Sequence, residues 1–288
     1  MTTWRSIALA MLLLSSAGRV VAQGPTFSSK LEAVRVDVLV TERGDVVKGL
    51  QPSDFEVRDN GVLQQVDLAS FQQIPLNVIL ALDVSASVSG ERLQHLQTAG
   101  RALLERLTKE DRAALLTFSQ AVVLRESLTG DVARVRMALE RVQPLGDTAL
   151  VDASHAAMML GHSDVGRSLL IVFSDGLDTA SWLSPDGVLE SARRSEVVVY
   201  SVSTRGPEKP EFLHDLSELT GGSVFEVEST RDLSATFLRI LDEFRQRYLV
   251  SYTPRGVSKQ GWHRLEVRVK GRRATVKSRA GYQADVVK

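Results

Sequence analysis

Three hydroxyls and two carboxylates in this sequence have the types and placement to hold a hard cation. Asp83-Val84-Ser85-Ala86-Ser87 sets one acid and two hydroxyls directly after the apolar run Leu76 to Leu82. Asp175, in Ser174-Asp175-Gly176, directly follows a second apolar run, Ser168 to Phe173. Thr148, in Gly146-Asp147-Thr148-Ala149-Leu150, lies in a loop that opens a helix. Oxygen ligands of this kind suit an octahedral ion such as Mg²⁺, with Mn²⁺ or Ca²⁺ as substitutes; such an ion keeps several waters and takes one or two carboxylates. Ser and Thr hydroxyls add little charge, so the ion stays under-neutralised and keeps an open position that a partner's carboxylate can fill. Each piece alone has a plainer reading. Asp and Ser after a strand are common helix N-caps, Ser89 could cap the helix from Glu91, and Asp175 could be a turn residue before Gly176.

The elements around these residues decide between the readings. In an open α/β sheet, ligands bind outside the carboxyl ends of the strands. Leu76 to Leu82 and Ser168 to Phe173 read as strands covered on both faces. Ala113 to Phe118, Val197 to Val202 and Ser223 to Val227 are further strands, with Ala121 to Leu128 as an edge partner. Helical spacing recurs over Glu91 to Leu107, Asp131 to Val142, Thr148 to Leu160, Pro185 to Ser195, Glu211 to Thr220 and Leu233 to Phe244. Strands alternating with helices predict an α/β fold with a doubly wound, mostly parallel sheet. Asp83, Ser85, Ser87, Thr148 and Asp175 then share one rim.

Both flanks read differently. Val34, Val36, Val38 and Val40 alternate with other residues, and Asp59-Asn60-Gly61 is a hairpin signal. Tyr248 to Tyr252, His263 to Val269 and Ala274 to Ser278 alternate likewise. Each flank is too small for a sandwich of its own. The expectation is therefore an N-terminal β segment, 23–73, pairing with a C-terminal one, 248–288, as a β-sandwich-like module flanking an α/β domain at 74–247. Residues 1–22 read as an export signal: Arg5, the apolar run Ile7 to Leu14, then Val20-Val21-Ala22. That run is too short to span a bilayer, so the expected location is periplasmic or extracellular with no membrane span in the mature chain.

Composition removes several classes. Lys+Arg and Asp+Glu are both 35, which argues against nucleic acid or an anionic membrane as the main partner. With no cysteine there is no disulfide, thiolate site or Cys nucleophile. No P-loop and no G-x-S-x-G elbow occurs, and no His lies near the metal loops in sequence to act as a base.

Asp83-Val84-Ser85-Ala86-Ser87, Thr148 and Asp175 together resemble the metal-ion-dependent adhesion site of von Willebrand factor A domains and integrin inserted domains. The resemblance covers about Asn77 to Arg247; relatives often carry Gly-Gly where this chain has Gly146-Asp147. The flanks, with Leu50-Gln51-Pro52-Ser53-Asp54-Phe55 and Ala280-Gly281-Tyr282, resemble the von Willebrand factor A-related proteins of Acidobacteria. The resemblance implies that Ser85, Ser87 and Thr148 contact the metal directly or through water, and that Asp83 and Asp175 hold coordinated waters or bind directly. It also implies that ligand binding can move the last helix, Leu233 to Phe244. The expected function is an exported, non-enzymatic adhesion or interaction module whose metal engages an acidic residue of a protein partner. The alternatives are a structural component of the envelope, and a metal-assisted hydrolase using Asp147 or Asp178 as base. Trp182 is either an anchor for its loop or an exposed ligand contact.

Overall fold

The computed structural model describes residues 33–71, 74–162, 165–205 and 211–284; the export signal expected at 1–22 lies outside them. In chain order the strands are β1 (Val34–Glu42), β2 (Asp45–Val46), β3 (Phe55–Asp59), β4 (Val62–Gln64), β5 (Val66–Ser70), β6 (Leu76–Asp83), β7 (Arg112–Phe118), β8 (Val122–Thr129), β9 (Arg167–Ser174), β10 (Val198–Thr204), β11 (Val224–Val227), β12 (Tyr248–Tyr252), β13 (Gly261–Val269), β14 (Thr275–Lys277) and β15 (Gly281–Ala284). The helices are α1 (Glu91–Glu105), α2 (Val132–Glu140), α3 (Leu150–Leu160), α4 (Pro185–Ala192), α5 (Glu211–Thr220) and α6 (Leu233–Arg245).

Six strands form the central sheet in the order β11-β10-β9-β6-β7-β8, parallel except for the antiparallel edge strand β8. All eight residues of β6 and of β9 are buried. Side chains alternate across a strand, so Val78, Leu80 and Leu82 join the apolar layer containing α1 and α6, and Ile79 and Ala81 join the layer containing α3, α4 and α5. Each fully buried aliphatic or aromatic side chain here contributes about 1.5–3 kcal/mol. The fold class expected from the sequence is what the chain adopts.

The remaining strands build two antiparallel sheets. One runs β14-β1-β12-β5, with β2 on β1; the other runs β15-β13-β3-β4. N- and C-terminal strands alternate in the first sheet and meet once, at β13 and β3, in the second: Val36 faces Val250 across β1 and β12, and Val57 faces Val267 across β3 and β13. Their inner faces share one core that includes Val36, Val38, Phe55, Val57, Tyr248, Val250 and Tyr252. Between Gln64 and Val66 the chain passes from one sheet to the other. Gln64 ends β4 in one sheet, and Val66 opens β5 in the other.

This β module meets the α/β layer at the amino ends of the parallel strands. Arg167, first residue of β9, pairs with Asp37 of β1, and Arg35 pairs with Glu196. Ala280 N–H donates to the Leu219 carbonyl and Gln283 N–H to the Arg193 carbonyl. At Gly221, with φ +81°, an added Cβ would lie 2.4 Å from the Arg279 nitrogen, so this close approach needs glycine. The carboxyl ends of the strands lie at the opposite edge.

Candidate functional site

Asp83 ends β6, and its side chain organises the loop that follows. Oδ1 accepts the Ser85 N–H at 2.8 Å, folding the backbone over the carboxylate, and Oδ2 accepts from Ser174 Oγ at 2.6 Å. The site extends outward from there. Ser85 Oγ and Ser87 Oγ lie 3.0 Å apart, and Ser87 Oγ donates to Asp175 Oδ1 at 2.7 Å. Four of the five residues singled out from the sequence therefore form one continuous hydrogen-bonded chain.

Thr148 reaches the same rim through backbone contacts. Ala86 N–H donates to the Gly146 carbonyl at 3.0 Å, and Leu145 N–H donates to the Val84 carbonyl at 2.8 Å. Thr148 N–H donates to Thr179 Oγ1, and the Thr148 carbonyl accepts from the N–H groups of Thr179 and Ala180. The helix expected from Thr148 begins at Leu150, which leaves Thr148 in the loop. Gly146 has φ +75°, a conformation that suits glycine, and an added Cβ would press on the Gln120 side chain.

The loop after Asp175 is tied down by two carboxylates, Asp178 and Asp152. Asp178 Oδ1 accepts the Val151 N–H and Ser181 Oγ, so it caps α3 from a distant loop. The Asp152 carboxylate accepts the N–H groups of Trp182 and Leu183. Trp182 itself is 95% exposed, so its backbone is anchored while its ring faces water. Leu177 and Leu183 are exposed in the same loop, and Leu145 is exposed in the loop before Thr148. Ser89 does not cap α1; Gly90 occupies that position.

The donor set fits a hard divalent ion. Burial pushes the Asp83 carboxyl above the usual carboxylate range and nearby Asp175 adds to the rise, although hydrogen bonds from Ser174 and Ser85 oppose it. Its partners are neutral donors, so a cation beside it would offset the cost of burying its charge. Among the described residues no three His, Asp or Glu side chains converge as a metal cluster; the set is two carboxylates and hydroxyls. Ser174 and Arg92 also touch the site and were not singled out from the sequence. Ser174 was signalled only by its place beside Asp175, whereas Arg92 follows Ser87 by five residues and gave no signal.

The profile of the von Willebrand factor type A domain matches residues 77–239, more than half of the 288 residues. Human inter-alpha-trypsin inhibitor heavy chain H4 is 25% identical over 177 residues, covering 57% of this chain and 19% of that protein. The chain thus spans about a fifth of the length of the curated relatives it matches. Among solved structures, proximal thread matrix protein 1 of the mussel byssus, with a zinc-occupied MIDAS motif, superposes with TM-score 0.55 at 17% identity, covering 65% of this chain and 49% of that one. A von Willebrand factor type A protein from Catenulispora acidiphila superposes with TM-score 0.53 at 12% identity, covering 81% and 74%.

Proposed function

Since this chain belongs to the von Willebrand factor type A domain family, we propose that it is an exported, non-enzymatic interaction module that uses a divalent metal to engage an acidic residue of a protein partner. The metal is Mg²⁺, with Mn²⁺ or Ca²⁺ able to replace it. Asp83, Ser85, Ser87, Thr148 and Asp175 would hold it. The observation that carries this reading is the hydrogen-bonded chain Asp83–Ser85–Ser87–Asp175 at the carboxyl edge of the sheet, with Ser87 exposed. When bound, the ion supplies an open coordination position for a carboxylate. Residues 74–247 hold the binding domain, the described strands on either side of it form its β platform, and residues 1–22 direct export.

Two features of the rim support a protein partner. Trp182, Leu145, Leu177 and Leu183 are exposed on loops whose backbones are fixed by hydrogen bonds. Exposed aromatic and aliphatic side chains on an ordered rim are the common core of protein interfaces. Of the two bases open to the hydrolase alternative, Asp178 is occupied by Val151 N–H and Ser181 Oγ, which leaves Asp147 alone. No helix among the described residues is long and apolar enough to cross a membrane.

Calorimetric titration with Mg²⁺ and Mn²⁺ tests the site. Saturable binding is expected in the wild type and its loss in Asp83→Ala; equal binding by the two would refute the assignment. A metal-dependent capture from envelope extract, abolished by chelator and by Ser85→Ala, then tests the partner.

A further inference from the structure

The candidate site has a positively charged neighbour within its own chain. Arg92 Nη1 donates to Asp175 Oδ2 at 3.0 Å and to the Ser87 carbonyl at 3.2 Å. Oδ1 of the same Asp175 accepts from Ser87 Oγ. A guanidinium therefore lies against one carboxylate of the donor set and against the loop that carries two of its hydroxyls.

The members of this pair are unequally free. The Asp175 side chain is 2% exposed and the Arg92 side chain 55%. Asp175 cannot turn into water without dismantling the rim, whereas Arg92 can swing outward at small cost. The helix end also disfavours Arg92 where it stands. It is the second residue of α1, whose N-cap, Gly90, makes no side-chain cap, and a cation there opposes the helix dipole. Asp175 offsets that disadvantage. A divalent ion drawing on Asp175 must share it with Arg92.

We propose that Arg92 competes with the divalent ion for Asp175, and that once displaced to the rim it receives the partner's carboxylate alongside the ion. This rests on the metal-binding reading above. Arg92 would then lower the affinity for the ion alone and make ion and acidic ligand favour each other, since each relieves the charge conflict set up by the other. A purely structural Arg92, needed only to fix Asp175, predicts the opposite sign: removing it would loosen the donor set and weaken metal binding.

Mn²⁺ titration of wild type, Arg92→Gln and Arg92→Lys separates the two roles, with and without glutarate as a carboxylate probe. One charge against two across about 6 Å of aqueous medium corresponds to about a tenfold change in affinity. Arg92→Gln is therefore expected to bind Mn²⁺ about tenfold more tightly at low salt, with the gap closing as salt rises. Arg92→Lys, which keeps the charge, should stay near wild type. Glutarate should tighten Mn²⁺ binding more in wild type than in Arg92→Gln. Unchanged or weaker Mn²⁺ binding in Arg92→Gln overturns the competition, and an equal glutarate effect overturns the carboxylate role. If wild type and Asp83→Ala are equally inert to Mn²⁺, the metal reading falls, and the Arg92 role falls with it. Urea unfolding of each variant shows that it is folded.

Discussion

Replacing Arg167 with methionine tests how the β module is joined to the α/β layer. The Arg167 side chain is 3% exposed and pairs with Asp37, itself 10% exposed. Arg167 also donates to the Arg247 and Phe244 carbonyls, both at 3.3 Å, and its guanidinium sits 4.7 Å from the Phe244 ring centre. Methionine keeps much of the aliphatic volume but strands the Asp37 charge and two carbonyls. Breaking a buried pair from one side costs about 3–5 kcal/mol. For a chain of this size each kcal/mol lowers Tm by about 2–4 °C, so Tm should fall by about 6–20 °C. The companion Asp37→Leu/Arg167→Met removes both charges. It should recover half or more of the loss, because an apolar replacement of a buried pair is often close to neutral. Urea and thermal unfolding of wild type, Arg167→Met, Asp37→Leu and the double variant gives the coupling energy directly. A loss below about 1 kcal/mol in Arg167→Met, or no recovery in the double variant, would mean that the pair is solvated and does not join the layers.

Two further outcomes follow from other parts of the chain. Burial raises all four tyrosines above the usual phenol range, Tyr200, Tyr248, Tyr252 and Tyr282. Their folded pKa values exceed the unfolded one, so their contribution is complete below about pH 10 and is lost as pH rises beyond it, by up to about 1.4 kcal/mol per pH unit for each fully buried ring. Phenolate absorbance should therefore rise together with loss of circular dichroism in one cooperative alkaline transition; a phenolate signal that appears while the fold is intact would contradict the burial. Gly146→Ala, at φ +75°, should cost about 1–2 kcal/mol in urea unfolding and weaken Mn²⁺ binding, because the Gly146 carbonyl holds the Ala86 N–H. Unchanged Mn²⁺ affinity would show that this carbonyl does not shape the site.

The parallel core was legible because β6 and β9 are buried along their whole length and read as nearly continuous apolar runs. Hydroxyl and carboxylate residues directly after such strands can only emerge at the carboxyl edge, which is why four of the five candidates meet in one hydrogen-bonded chain. What the sequence hid depends on contacts between distant segments. Asp152 and Asp178 take up their roles only when the loop after Asp175 folds back onto α3. Asp59 reads as a turn residue, yet it is fully buried and accepts from Tyr252 and Tyr282, with His263 Nδ1 2.6 Å away. Those partners lie 193 to 223 residues further along the chain, beyond any local pattern. Strand β15, only four residues long, pairs with the first half of β13 and carries no alternation that could announce it.

The foot of α6 decides how the metal edge and the β module can influence each other. Arg245 reaches Asp111 at 2.6 Å, Arg247 reaches Tyr200 Oη at 2.7 Å, and the Phe244 carbonyl accepts from Arg167. Burial raises the Asp111 carboxyl, but Arg245 and the donors of Thr108 and Leu76 outweigh it and hold the group below the usual range. Immediately beyond, β12 is paired with β1 on one side and β5 on the other. Moving α6 by one turn, about 5.4 Å, would pull β12 out of register and expose one of its faces. It would also break the Asp111–Arg245 pair, at about 3–5 kcal/mol. A partner can populate such a state only by binding it more tightly by at least that amount. Any response of the module to events at the far rim therefore has to be a shift smaller than a helical turn, or a rotation of the module together with α6 small enough to keep the Arg167–Asp37 pair across the joint.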